Sequence, residues 1–322
     1  RPRAFLKSGV SSMTTFLVRA MTAADRGEVA NLILASVNTW YRQHGMPAIF
    51  QGGPELTEVF FDVYSSLEPG CGLVAAHRET GRLMGSCFFH PRPRHVALGI
   101  MNVHPDDFGH GVARALLRAI TDYADERKLP VRLTQSALNL DSFSLYNRAG
   151  FVPRSAYQDM LVRVPAAGLP PLTVPPTGRL RDATLADVPA IAALELEISG
   201  VTREIDYRYV IGNSAGFWHA SVFENAAGRI EGFLASSLHA ACNMIGPGFC
   251  RTEEQAIALI HRELNANAGR TPVVLVPVER SAVVHQLYSW GARNCELHFC
   301  QVRGASQPFA GLNFPTFLLE TA

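Results

Sequence analysis

The sequence predicts an α/β fold with a mixed sheet, built twice in tandem. Three observations carry that prediction. VRAMTAAD at residues 18–25 returns as LRDATLAD at residues 180–187, each a short strand, then a threonine, then an aspartate three positions on. Two later echoes keep the same order: Val103-His104-Pro105 with Ile245-Gly246-Pro247, and Leu145-Tyr146 with Leu287-Tyr288. Ordered self-similarity of this kind marks an internal repeat. Finally, VPAAGLPPLTVPPTG at residues 164–178 has five prolines in fifteen residues, which reads as a stiff, extended linker rather than a packed element. It separates a first copy at 14–163 from a second at 179–322, and 322 residues suit two domains of ordinary size.

The elements of the first copy follow in order. FLVRA is a strand. Thr22 with Asp25 is a capping-box-like helix start, and the apolar periodicity of VANLILASV carries a helix over 23–43 to the polar WYRQHG. Gly52, Gly53 and Pro54 mark a loop, and ELTEVFFDVYSSL a second helix. GLVAAHR and RLMGSCFFH alternate around ETGR, which predicts a hairpin, and HVALGIMNV is a third run of strand type. A glycine turn precedes a helix that runs to about Lys128. VRLTQSA is then a strand, DSFSLYNRAG a short helix and AYQDMLVRV a last strand. Early hairpins with a strand-helix-strand crossover make the sheet mixed. In the second copy LRDATLAD and VPAIAALELEI repeat the opening strand and helix. Residues 1–12 are set aside as an upstream extension, with Met13 as the more natural start.

Composition narrows the function classes. A hydrophobic share of 48% supports a sizeable core. The net charge of +1, from 29 basic and 28 acidic residues, argues against a dedicated nucleic-acid binder. No apolar run is long enough for a bilayer span, so no membrane partner is expected. Cys71, Cys87, Cys242, Cys250, Cys295 and Cys300 form no C-x-x-C pair, which predicts reduced thiols in a cytoplasmic protein. His90, His95, His104 and His110 fall on different predicted elements without ligand spacing, so no metal site is expected. The oligomeric state is expected to be a monomer or a homodimer.

The turn HPDDFGHGVARALL, residues 104–117, sets Gly109 and Gly111 around His110 and directly ahead of a helix. A helix start presents unpaired N–H groups and a partial positive charge, so a phosphate there accepts several main-chain bonds. Taken alone, the turn also reads as an ordinary tight turn. A Walker loop would need a lysine after its second glycine, and the dinucleotide fingerprint a third glycine where Arg114 stands.

In its wider context, VHPDDFGHGVARALL resembles the acyl-CoA-binding motif of the GNAT (GCN5-related) N-acetyltransferase superfamily: V-x-P, then [QR]-x-x-G-x-[GA], then a helix. Val103, Pro105, Gly111 and Ala113 match, while Phe108 stands where glutamine or arginine is usual. NLDSFSLYNRAGF, residues 139–151, resembles the family's N-x-x-[AS]-x-x-L-Y-x-x-x-G-F, with Asn139, Ser142, Tyr146, Gly150 and Phe151 in place. The resemblance covers most of residues 14–163.

What it implies is two tandem GNAT-like domains, each a mixed, mostly antiparallel central sheet flanked by helices. It also implies direct transfer of an acetyl group from acetyl-CoA to an amine of a small-molecule or peptide acceptor, within a ternary complex. Acetyl-CoA would lie in a V-shaped gap between central strands. Along Met101, Asn102 and Val103 the backbone of Met101 and Val103 would pair with the pantetheine arm, and an N–H there would polarise the thioester carbonyl. Phe108, Gly109, His110, Gly111, Val112 and Ala113 would cradle the diphosphate. Asn139 and the Ser142–Phe143 turn would flank the arm, and Tyr146 would protonate the departing thiolate as general acid. Trp40, Tyr41 and His44 would face the acceptor, although they read equally as a surface cluster capping the first helix. Without its motif, Tyr146 would read as a tyrosine packing under its helix. HVALGIMNV carries no glutamate, so the general base is open: His90, His95, His104 and Glu68 are candidates by type, and a water-mediated route is equally open. The alternative function is a non-catalytic acyl-CoA sensor or regulator with a structural Tyr146.

In the second copy the turn reads IGPGFCRTEEQAIALI. The G-x-G step is gone, and Glu253 and Glu254 would suit a helix dipole yet repel a diphosphate. Ser281 takes the place of Asn139, and Tyr288 is expected to be structural. Residues 179–322 therefore read as a degenerate domain that has lost its cofactor. The tail QPFAGLNFPTFLLETA is expected to reach back across the face between the copies.

Overall fold

The structure, a computed structural model, describes residues 15–174 and 176–319. The upstream extension and the start at Met13 lie outside the described residues. Two compact units divide the chain, one holding residues up to Pro91 with Leu98–Lys128, the other holding Arg92–Ala97 and everything from Leu129 onward.

In the first unit β1 (Phe16–Ala20) leads to α1 (Arg26–Gln43) and α2 (Glu58–Leu67). Then come β2 (Gly72–His77), β3 (Leu83–Arg92), β4 (His95–Val103) and α3 (Val112–Glu126), with Arg92 and His95–Ala97 of these strands counted in the other unit. The strands lie in the order β1-β2-β3-β4, with β1–β2 and β2–β3 antiparallel. The predicted capping box forms ahead of α1: the Thr22 N–H donates to Asp25 Oδ2 at 2.7 Å. Arg19 grips the same carboxylate through two bonds of 2.7 Å. Its guanidinium holds the Asp25 carboxyl down at about 2. Helix α3 buries Val112, Leu116, Leu117, Ile120 and Ala124, the stripe that a 3.6-residue period places on one face. Gly85 on β3 lets that helix lie close. A Cβ there would fall 2.6 Å from Val112 Cγ1 and 3.0 Å from the Asn102 carbonyl oxygen.

The second unit begins with β5 (Val131–Ser136), α4 (Leu140–Arg148) and β6 (Val152–Leu161). After the linker come β7 (Arg179–Asp182), α5 (Val188–Ser199), α6 (Glu204–Gly212), β8 (Trp218–Glu224) and β9 (Ile230–Ser237). It ends with β10 (Met244–Cys250), α7 (Glu253–Ala266), β11 (Val273–Pro277), α8 (Ser281–Ser289), β12 (Arg293–Arg303) and β13 (Leu312–Phe314). The same capping contacts recur: Thr184 N donates to Asp187 Oδ2 at 2.7 Å, and Arg181 holds Asp187 at 2.7 and 2.8 Å while also donating to Glu224 at 2.6 and 2.9 Å. Asp187 is likewise drawn down to about 2.

The strand order here is β5-β12-β6-β11-β10-β9-β8-β7. All these pairs are antiparallel except β10–β11, which is parallel. That order was not anticipated. By sequence β6 closes the first copy and β12 the second, yet the two have changed places. Strand β12 pairs with β5 from Arg303↔Val131 to His298↔Ser136, and β6 pairs with β11 from Val273↔Leu161 to Pro277↔Tyr157.

Two segments differ from expectation. The proline-rich linker is extended but packed: Val164 is buried, and Leu169 and Leu172 rest on the core around α7. Prolines leave it few donors of its own, and α7 supplies partners. Asn265 Oδ1 accepts from Leu169 N at 2.7 Å, and the His261 ring bonds the Pro170 carbonyl at 2.8 Å. The tail, as far as residue 319, joins β10: Gly248↔Phe314, Phe249↔Asn313 and Cys250↔Leu312 form an antiparallel ladder, and Leu318 and Leu319 are buried. Among the described residues no helix is long and apolar enough to cross a membrane.

Candidate active site

The glycine turn opens α3 without a side-chain cap. After β4, a 3-10 turn at Pro105–Asp107 brings the chain round, and Arg82 fixes it by holding the buried Asp107 carboxylate at 2.8 and 2.9 Å. Phe108, Gly109 and His110 are exposed. Gly109 and Gly111 both have φ of 81°, in the left-handed region where a side chain is strained. Gly111 is the N-cap of α3, with no side-chain cap bond and no acidic residue in the first turn. The amides that open α3 therefore face outward without an intrahelical acceptor, while the Val112 side chain anchors the turn in the core at 1% exposure. Nearby on β4, Asn102 Oδ1 accepts from Ser36 Oγ at 2.7 Å. Its buried Nδ2 has no hydrogen-bond partner among the described residues. Met101 and Val103 are half-buried on either side.

Asn139, Ser142, Phe143 and Tyr146 are brought together on α4, in the second unit. Asn139 caps the helix, its Oδ1 accepting from Ser142 N at 3.0 Å. Tyr146 is the buried side chain of α4, 5.7 Å from the Phe151 ring. The exchanged strand supports this helix. Phe299 packs 5.7 Å from Phe143, and Arg303 Nε donates to the Ala149 carbonyl at 3.0 Å.

Trp40, Tyr41 and His44 do cluster at the end of α1. His44 stacks on Trp40 at 4.1 Å, Tyr41 meets it edge-on at 5.1 Å, and His44 Nδ1 bonds the Trp40 carbonyl at 2.8 Å. The base candidates are scattered. His90 and His95 are buried, and His104 Nδ1 accepts from Asp106 N at 3.3 Å. Glu68 lines a separate cavity of about 180 Å³ with Tyr64 and Phe88, which includes none of the turn residues.

The second copy's counterpart is closed by its own groups. Thr252 and Gln255 cap α7 reciprocally, each accepting at 3.3 Å. Glu253 Oε2 accepts from Ala282 N at 2.8 Å and Val283 N at 3.2 Å, so a carboxylate of α7 occupies the start of α8. Glu254 Oε1 accepts from Thr177 N and Oγ1, both at 3.0 Å. Strand β10 pairs with β11 at Met244↔Val273 and Ile245↔Val274, and then takes β13 as neighbour. Tyr288 is an exposed residue whose hydroxyl accepts from Asn294 Nδ2 at 2.8 Å.

One cluster was missed. Asp159 on β6 and Glu296 and His298 on β12 place ligand-type atoms within 4.8 Å of one another. His298 Nδ1 lies 2.9 Å from Asp159 Oδ1, and the Glu296 carboxylate accepts from the Ser136 hydroxyl. Burial pushes the Asp159 carboxyl above its ordinary range, with His298 opposing. The available signal was the alternation in CELHF, which puts Glu296 and His298 on one face of a strand.

Comparison with known proteins agrees with this architecture. Residues 35–151 match the model of the Acetyltransferase (GNAT) family, and residues 194–308 that of an Acetyltransferase (GNAT) domain. The UPF0157 protein YqkA of Bacillus subtilis (strain 168) is 30% identical over 102 residues, 32% of this chain and 28% of its own length. The chain thus matches under a third of that relative. Among solved structures, a protein of Pyrococcus horikoshii assigned to the acetyltransferases superposes with a TM-score of 0.74 at 13% identity, covering 98% of both chains. A GCN5-related N-acetyltransferase from Sphaerobacter thermophilus gives 0.63 at 17%, covering 92% of this chain and 98% of its own. A tandem GNAT protein from the clavulanic acid biosynthesis pathway gives 0.58 at 14%, covering 90% and 98%.

Proposed function

The chain belongs to the GNAT acetyltransferase superfamily in tandem-domain form, and we propose that its first copy, residues 14–163, is an acetyl-CoA-dependent N-acetyltransferase. Residues 179–322 form a partner domain that binds no donor. The observation that carries this reading is the start of α3, capped by Gly111 without a side chain and free of acid in its first turn. A diphosphate suits those amides and that dipole. The orphaned Asn102 Nδ2 adds a donor on the strand assigned to the pantetheine arm.

Acetyl-CoA is a substrate here, consumed at each turnover. The amides of Gly109–Ala113 receive its diphosphate, and Met101 and Val103 present their backbone to the arm. Asn139 keeps α4 wound from its first turn. The amine nitrogen attacks the thioester carbon, the C–S bond breaks, and the Tyr146 hydroxyl donates its proton to the sulfur. A phenol can do so because it stays protonated at neutral pH. The acceptor is a small-molecule or peptide amine, with Trp40, Tyr41 and His44 as its aromatic contacts. Six cysteines outside any disulfide, five of them buried, suit a reducing, cytoplasmic setting.

Incubation with acetyl-CoA and a panel of primary amines tests the reading. Free thiol should appear above the amine-free background. Binding of CoA with no thiol release from any amine would instead favour the acyl-CoA sensor.

A further inference from the structure

The second copy holds a buried carboxylate that the proposed transfer does not use. Glu263, on α7, is 0% exposed. A carboxylate taken out of water is costly unless it is paired and hydrogen-bonded. Its partner is His219 on β8, whose Nδ1 lies 2.9 and 3.1 Å from the two carboxylate oxygens. The other ring nitrogen, Nε2, lies 3.3 Å from Asp182 Oδ1 on β7. We propose that His219 is a proton-operated clamp: its protonated ring ties β7 to α7 through two carboxylates, and the second copy loses that tie when the ring gives up its proton.

Three observations support it. First, the ring sits between two acceptors. Both nitrogens of an imidazolium donate, so the charged ring serves Glu263 and Asp182 together. A neutral ring keeps a single N–H. With the hydrogen on Nδ1, a lone pair faces Asp182; with it on Nε2, a lone pair faces the buried Glu263. Second, Glu263 is fixed in place. Ser236, opposite His219 in the β8–β9 ladder, donates from Oγ to Glu263 Oε2 at 2.7 Å. Ser236 Oγ accepts from Asn267 Nδ2 at 3.2 Å, and Asn267 Oδ1 accepts from Asn243 Nδ2 at 2.7 Å. The carboxylate is therefore held against the ring, which among the described residues is its one cation within ion-pair range. Third, the surroundings favour the charged ring. Glu263 and Arg262 face it from α7 and Asp182 from β7, while β9 offers the uncharged Ser236. Two acids stand against one base, and Arg262 is itself engaged with Asp182 at 2.5 Å.

The hydrogen bond to Glu263 raises the pKa of the ring above its ordinary 6.5, against the pull of burial. A raised histidine adds stability below its unfolded value and loses it as pH rises through the folded one. The clamp is thus closed in acid and opens as pH climbs past 6.5.

Carbon-13 NMR of the histidine Cε1 positions, on the full chain from about pH 5 upward, reads the proton directly. The His219 signal, identified by its absence in His219→Gln, should titrate above 6.5. Asp182→Asn should lower that titration point, and Glu263→Gln should lower it further. In chemical denaturation His219→Gln should be less stable than wild type in acid. The deficit should close as pH rises, by tenfold in the folding equilibrium constant for each unit by which the measured value exceeds 6.5. Should His219→Gln fail to fold, the signal that moves in Asp182→Asn identifies the ring, and the deficit of that exposed-site variant should shrink over the same interval. A ring that titrates at or below 6.5, or a deficit of equal size on both sides of that value, overturns the clamp. None of these measurements involves CoA, so the transferase reading stands or falls separately.

Discussion

Two helices follow corresponding strands, α3 after β4 in the first copy and α7 after β10 in the second, and they treat their first amides in opposite ways. Helix α3 begins on a glycine at φ 81° with neither a side-chain cap nor an acid in its first turn. Helix α7 begins on Thr252 in a complete capping box, and sends the Glu253 carboxylate on to the amides of α8. Helix ends must satisfy their amides somehow. On the proposed reading the first copy leaves them for a ligand, whereas the second satisfies them internally. The same division recurs on the sheet, where β10 acquires the chain's own β13 as neighbour. On that reading a repeat keeps its fold and dispenses with a site by supplying from within what a ligand would supply.

The tyrosines test this contrast most strongly. Tyr146→Phe should cut turnover by about 10²-fold while CoA binding is kept, the size expected for a lost general acid. Tyr288→Phe, on the exposed counterpart, should leave turnover unchanged. Equal losses would break the asymmetry.

What the copies share should respond alike. Asp25 and Asp187 are held from the usual 3.8 down to about 2, first by Arg19 and Arg181 respectively. A depressed carboxyl adds stability above its unfolded value and loses it as pH falls through its folded one. Asp25→Asn and Asp187→Asn should each lower neutral stability by roughly 1–2 kcal/mol after solvent screening. Chemical denaturation at stepped pH should show the deficit closing between about pH 4 and pH 2, the interval those values set.

Smaller effects sharpen the comparison at the helix starts. A β-branched residue in the left-handed region costs roughly 1–2 kcal/mol, so Gly111→Val should weaken CoA about tenfold or more, read by calorimetry. Glu253→Ala should leave that affinity alone and lower stability by about 1 kcal/mol, as loss of a cap does.

Legibility followed locality. Both capping boxes were visible because their partners lie three residues apart. The glycine turn ahead of α3 was visible because residues at φ 81° are nearly always glycine. The strand exchange was not visible. Strands β6 and β12 both pair antiparallel with either neighbour, and nothing in their alternation names a partner. The cluster of Asp159, Glu296 and His298 was hidden for the same reason, since 139 residues separate Asp159 from His298. The linker's prolines correctly marked an extended path, but its apolar residues, Val164, Leu169 and Leu172, decided that the path would be packed.

The most direct measurement is the stoichiometry of CoA binding by calorimetry, for wild type beside Gly111→Val and Glu253→Ala. The account predicts a single site per chain, weakened in the first variant and untouched in the second. Two sites, no heat at all, or a site indifferent to Gly111 would contradict it.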